Sequence, residues 1–187
     1  MTNMDYISTV VKRLTEKHGT RNPEQLCRDL GIKIRDKDCG YSLKAYFVTI
    51  ARIKNIVVNS RVGESLRLIL LAHELGHAVL HTELAALKGF QEFELFDSTV
   101  PAEYEANLFA AELLIEDDIV LELMNEDKSF FGVASELNVP AELLDFKFRV
   151  MKRRGYRLEA PYLANGDFLK KDFDGCYCGE TEREYVC

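Results

Sequence analysis

Two histidines four residues apart, with a glutamate after the first, constrain this chain more than any other feature: His73-Glu74-Leu75-Gly76-His77. On a helix that spacing sets both imidazoles on one face, one turn apart, where their ring nitrogens can reach a single tetrahedral Zn²⁺. Glu74 stands beside them, placed to take a proton from an attacking water. The surrounding helix, over residues 64–81, is apolar on nearly its whole circumference: Leu66, Leu68, Ile69, Leu70, Leu71, Leu75, Val79 and Leu80. A helix apolar all round is a buried helix. Polar groups carried into the interior without a common partner would be costly. The fold must therefore enclose a polar, metal-competent helix.

A catalytic zinc commonly takes three protein ligands and leaves one position open. His81 is four residues past His77, but it lies two turns from His73, about 11–12 Å along the axis. One ion cannot be chelated by all three, so His81 reads as a helix-end residue or one bonded behind a ligand. The next helix offers a better donor. From Pro101, residues Glu103, Ala106, Asn107, Ala110 and Leu114 share one face at about 100° per residue. That face is small and apolar, suited to close packing on the motif helix. Glu103 is the carboxylate aimed inward and the expected third ligand. Asn107, one turn on, can hydrogen-bond a metal-ligand histidine from behind. Glu105, Glu112 and Glu116 fall on the opposite face and read as a solvated acidic stripe.

The rest of the chain reads as mixed α and β. Helical spacing over residues 4–17 ends at Gly19. Asn22-Pro23 opens a short second helix that Gly31 closes. Residues 32–36 and 42–59 carry strand patterning, with a turn expected between Ala51 and Asn55. The stretch from Thr82 to Pro101 has no decisive period and could be a lid or loop. After the Pro101–Ile115 helix, three more are expected at 117–124, 129–137 and 141–154. With 187 residues and 47% hydrophobic content, the chain can build one real core. The N-terminal residues lack the apolar run of a secretory signal, and the most apolar stretch is far too short to span a bilayer. A cytoplasmic protein is expected, with no membrane partner. The five cysteines, an odd count, argue against a disulfide framework, and Cys176, Cys178 and Cys187 read as reduced thiols of the tail.

Following AHELGHAVLH, the run from Glu103 to Leu114, EYEANLFAAELL, resembles the ImmA/IrrE family of metallo-endopeptidases. The resemblance covers about residues 40–155. It implies one zinc held by His73, His77 and Glu103, with Glu74 as general base. The family often closes this helix with Leu-Met-Pro, whereas here Ile115-Glu116 follows Leu114. The resemblance further implies a helix-turn-helix-like region from Ala134 through Arg154, and a helix-turn-helix repressor of a phage, mobile element or stress response as substrate. The expected fold class is α+β: a mostly helical zincin-like core with a small antiparallel sheet over residues 1–125, the helix-turn-helix-like region over 126–157, and an irregular cysteine-containing tail over 158–187.

The expected activity is metal-assisted peptide hydrolysis. Candidates for stabilising the oxyanion are His81, Tyr104 and Tyr156. The alternative is a regulatory module that keeps a zinc site and binds a repressor or DNA without cutting. Charge bears on that choice. The chain carries −7 overall, and residues 83–127 hold thirteen carboxylates against one lysine. Residues 146–157 hold Lys147, Arg149, Lys152, Arg153, Arg154, Arg157 and no acid. The net charge makes nucleic-acid binding unfavourable, and the short basic segment reads first as a solvated helix face.

Overall fold

A computed structural model describes residues 3–41, 43–81, 100–161 and 169. Two helices lead: α1 (Asn3–His18) and α2 (Pro23–Asp29). Asn22 caps α2 by accepting from the Gln25 amide at 3.0 Å, and Pro23 occupies the first turn, where its missing N–H costs nothing. Strands β1 (Lys33–Lys37), β2 (Ala45–Ile50) and β3 (Ile53–Asn59) follow. The helices α3 (Glu64–Leu80), α4 (Val100–Leu114), α5 (Asp117–Asn125), α6 (Phe130–Glu136) and α7 (Ala141–Arg153) complete the described elements. Each stands where the apolar spacing placed it. The stretch from Thr82 to Pro101, open to either a lid or a loop, lies mostly outside the described residues, and Cys176, Cys178 and Cys187 lie outside them.

The sheet is mixed, which corrects the expectation of an antiparallel one. Its order is β1-β3-β2, with β2 antiparallel and β1 parallel to β3. The cause is the path of the chain. After β1 it passes to the far side of the sheet, forms β2, then turns back so that β3 inserts in the middle. Ile56, Val57 and Val58 are consecutive buried residues, as expected of a central strand covered on both faces. The β2–β3 turn has two residues, Ala51 and Arg52, both at positive φ (49° and 65°). That geometry suits the twist of a hairpin but normally selects Asn-Gly, so the sequence did not mark it.

The sheet packs on one side of α3, and α4 packs on the other; α1 and α7 then cover α4. Every residue of α3 from Ile69 to Gly76 is buried. Close approach of α3 and α4 depends on Gly76. A Cβ there would stand 3.2 Å from the Ala106 Cα and 3.2 Å from the Phe109 Cβ. Helix α7 is also a core element: Leu143, Leu144, Phe146, Phe148, Val150 and Met151 are all buried in one cluster with α3 and α4. Among the described residues no helix is long and apolar enough to cross a membrane.

The acidic stripe is solvated only at Glu116, which lies exposed 3.4 Å from Arg21. Glu112 is buried and pairs with Lys147, itself only 1% exposed, at 2.8 Å. Lys147 also meets Asp117 at 2.5 Å, and Arg154 binds both Glu112 and Asp117. Other residues of the basic segment are paired too, while Lys152 and Arg157 are exposed. Arg149 bonds Asp145 at 2.6 Å, and Arg153 lies 3.6 Å from Asp5. The helical wheel misjudged this face because α7 covers it.

Candidate metal centre

Helix α3 brings His73 and His77 together edge to face, with Nε2 atoms 3.1 Å apart. The first turn of α4 adds Glu103, whose Oε2 lies 3.4 Å from His73 Nε2 and whose Oε1 lies 3.6 Å from His77 Nε2. These are the residues that could hold a metal ion among those described. The donor chemistry fits a cation. Two imidazole lone pairs and a carboxylate converge in a buried place, where lone pairs facing one another repel unless a positive charge joins them. The spacing fits as well. Donors about 2.0–2.1 Å from a tetrahedral Zn²⁺ stand about 3.3–3.4 Å from one another. Burial alone would raise the Glu103 carboxyl, but with protons on the facing nitrogens of His73 and His77 their hydrogen bonds and charge hold it well below the usual carboxylate range, and a cation among the three donors would take the place of those protons.

Glu74, next to His73 on α3, is 7% exposed. Asn107 is fully buried one turn beyond Glu103, on a helix that meets α3 through Ala106 and Phe109. His73 Nδ1 is buried and finds no hydrogen-bond partner among the described residues.

The three residues considered for the oxyanion stand differently. His81 caps the end of α3, its backbone N–H reaching the His77 carbonyl. Its Nδ1 lies 3.2 Å from His77 Nδ1, behind the cluster, and its Nε2 lies 2.7 Å from Glu105 Oε2. Glu105, read as solvated, is thus turned to α3, and Asn3 of α1 holds its other oxygen. The wheel treats side chains as radial spokes. His81 has left the helix, and a glutamate reaches far enough from its flank to meet it. Tyr104 packs its ring on Phe146 of α7 at 5.4 Å, beneath the Arg149 guanidinium. Tyr156 follows Arg154, whose partners Glu112 and Asp117 mark the C-terminal end of α4; Glu103 is at the other end. The structure groups neither tyrosine with the three donors.

Sequence reasoning missed two groupings, the Glu105–His81 pair and the Lys147–Glu112–Asp117–Arg154 network. For the second a signal existed. An acid-rich segment and an acid-free basic segment in one chain are complementary surfaces, and they are found packed together.

Comparison with known proteins places the chain in a family. A model of the M78 peptidases, described as the IrrE N-terminal-like domain, matches residues 27–149. Immunity region protein 2 of Bacillus phage phi105, itself uncharacterized, is 35% identical over 141 residues, covering 75% of this chain and 88% of the phage protein. Metallopeptidase ImmA of Bacillus subtilis (strain 168) is 28% identical over 141 residues, covering 73% of this chain and 80% of its own length. The family match spans most of the chain and contains the histidine pair, the intervening glutamate and Glu103. The chain belongs to the ImmA/IrrE family of metallopeptidases.

Proposed function

We propose that the protein is a zinc endopeptidase of the cytoplasm that cuts a helix-turn-helix repressor of a phage or mobile element at one or a few bonds. The observation that carries the reading is the buried convergence of His73, His77 and Glu103 with Glu74 alongside. A structural zinc site needs no base next to its ligands and usually closes its fourth position with Cys or His. The relatives named for phage immunity and for metallopeptidase activity support the choice of substrate.

When bound, the zinc would supply a Lewis acid and lower the pKa of water to about 7. The work of the chain's own residues follows from their places. His73, His77 and Glu103 bind the ion. Glu74 takes the proton of the attacking water and delivers it to the leaving amine. We assign Asn107, fully buried one turn beyond Glu103, a supporting place behind the ligands. Residues 129–154 are assigned a docking role for the bulk of the repressor, so that selectivity comes from docking rather than from a deep general cleft.

The test is cleavage of the cognate repressor by wild-type protein and by Glu74→Gln. The variant should keep zinc and still bind the repressor but leave it intact. Casein should resist both proteins. Comparable digestion of casein and repressor would end the selectivity claim. Undiminished cleavage by Glu74→Gln would end the mechanism. A non-cutting DNA-binding module gains no support, because Lys147, Arg149 and Arg154 are already paired with carboxylates inside the molecule.

A further inference from the structure

We propose that His81 and Glu105 are positioning residues for the metal centre, setting the tautomer of His77 through an imidazole-to-imidazole hydrogen bond. The inference rests on the metal reading above and deepens it. The argument runs from the outside inward. A carboxylate only accepts hydrogen bonds. Glu105 Oε2 lies 2.7 Å from His81 Nε2, so that nitrogen carries the proton. In a neutral imidazole the other nitrogen is then an acceptor. His81 Nδ1 lies 3.2 Å from His77 Nδ1, which must therefore be the donor. With its proton on Nδ1, His77 presents a bare lone pair at Nε2, the atom facing His73 and Glu103.

Metal-binding histidines commonly give their second N–H to a carboxylate or carbonyl, which orients the ring and raises its basicity. Here a second histidine stands between ligand and carboxylate. The arrangement is held at each link. His81 is fixed by its cap bond to the His77 carbonyl, and Glu105 is fixed by Asn3 on its remaining oxygen. Both side chains are mostly buried, at 13% and 21% exposure, so water competes poorly for these bonds. The relay also links α1, through Asn3, to the orientation of a ring on α3.

Two measurements on the full chain test this. The first uses metal-free protein near pH 8, where free imidazoles are neutral. Long-range ¹H–¹⁵N correlation should find His77 protonated at Nδ1 and His81 at Nε2. Glu105→Leu should convert His77 to a mixture. His77 protonated at Nε2 in the wild type would overturn the proposal. The second is zinc affinity by competition with a chromophoric chelator, with folding checked by circular dichroism. His81→Phe keeps a ring but removes both nitrogens and should weaken zinc by about 10–100-fold. His81→Gln can accept from His77 and donate to Glu105, and should restore most of the loss. Wild-type affinity in His81→Phe, or a Gln variant as weak as Phe, would overturn the relay. Zinc failing to bind wild-type protein would instead sink the metal reading, and the tautomer measurement would still decide the relay.

Discussion

Glu103 concentrates more of the electrostatics of the centre than any other side chain. It is the one formal negative charge in the cluster of three, and it is held ionised against its own burial. Glu103→Ala should therefore weaken zinc by more than about a hundredfold, beyond the range of residues that act through a ligand. Glu105→Ala should fall within that lesser range. Equilibrium dialysis of the two variants separates them, and a greater loss in Glu105→Ala would reverse their roles. Lys147 is the comparable residue away from the centre. It is almost wholly enclosed and joins two carboxylates from α4 and α5. Removing one member of a buried ion pair costs about 3–5 kcal/mol when its partner is left alone, and here Arg154 still holds Glu112 and Asp117. Lys147→Met should lose part of that stability in urea unfolding; a change near zero would mean that Arg154 alone neutralises the two carboxylates.

At the scale of elements, the contact of α3 with α4 sets the distance between the donors. His73 and His77 ride on one helix and Glu103 on the other, with Gly76 and Ala106 at the point of closest approach. Gly76→Val would force the helices apart. Overpacking of this kind costs about 1–3 kcal/mol. Zinc affinity should drop as well, although no donor has been touched; a variant that loses stability yet keeps full affinity would show the centre adapting independently. This contact was largely legible in the sequence. The i, i+4 histidines fix one side, and Glu103, Ala106, Asn107 and Ala110 mark the small face that meets them. The helices were legible for the same reason, since apolar period reports burial. Strand order was not, because pattern alone does not say where β3 inserts. The inward turn of Glu105 and the pairing of Glu112 were not either. A helical wheel sees one helix at a time, and these side chains answer to His81, Lys147 and Arg154 on other elements.

For the whole molecule, internal charge pairing governs behaviour in acid. Burial pushes the Asp117 carboxyl up, but bonds and charge from Lys147 and Arg154 outweigh it and hold it below its ordinary value. The unfolded chain then takes up this proton before the folded one does. The stabilisation is complete above the ordinary carboxylate pKa of about 4 and is lost as pH falls from there through the depressed folded value. Asp117→Asn should flatten the acid limb of stability against pH and leave its neutral limb parallel to wild type. An unchanged acid slope would place the sensitivity elsewhere. The same pairing predicts weak attraction to duplex DNA, no tighter than about micromolar at physiological salt, by fluorescence anisotropy; tighter binding would revive a nucleic-acid role.

The enclosure of α7 has a further consequence, for the order in which the molecule comes into being. His73, His77 and Glu103 are synthesised before residues 141–153, and although α1 already covers part of α4, the rest of its apolar wall arrives only with those residues. A growing chain carries its donors without the packing that holds them together. Domains generally fold as units, so peptidase activity should be withheld until synthesis has passed α7, sparing the translation machinery a half-made protease. Ribosome-bound chains arrested before Ala141 should be sensitive to added protease, and those arrested well beyond Arg153 resistant. Equal resistance of both would mean that the centre assembles without its last wall.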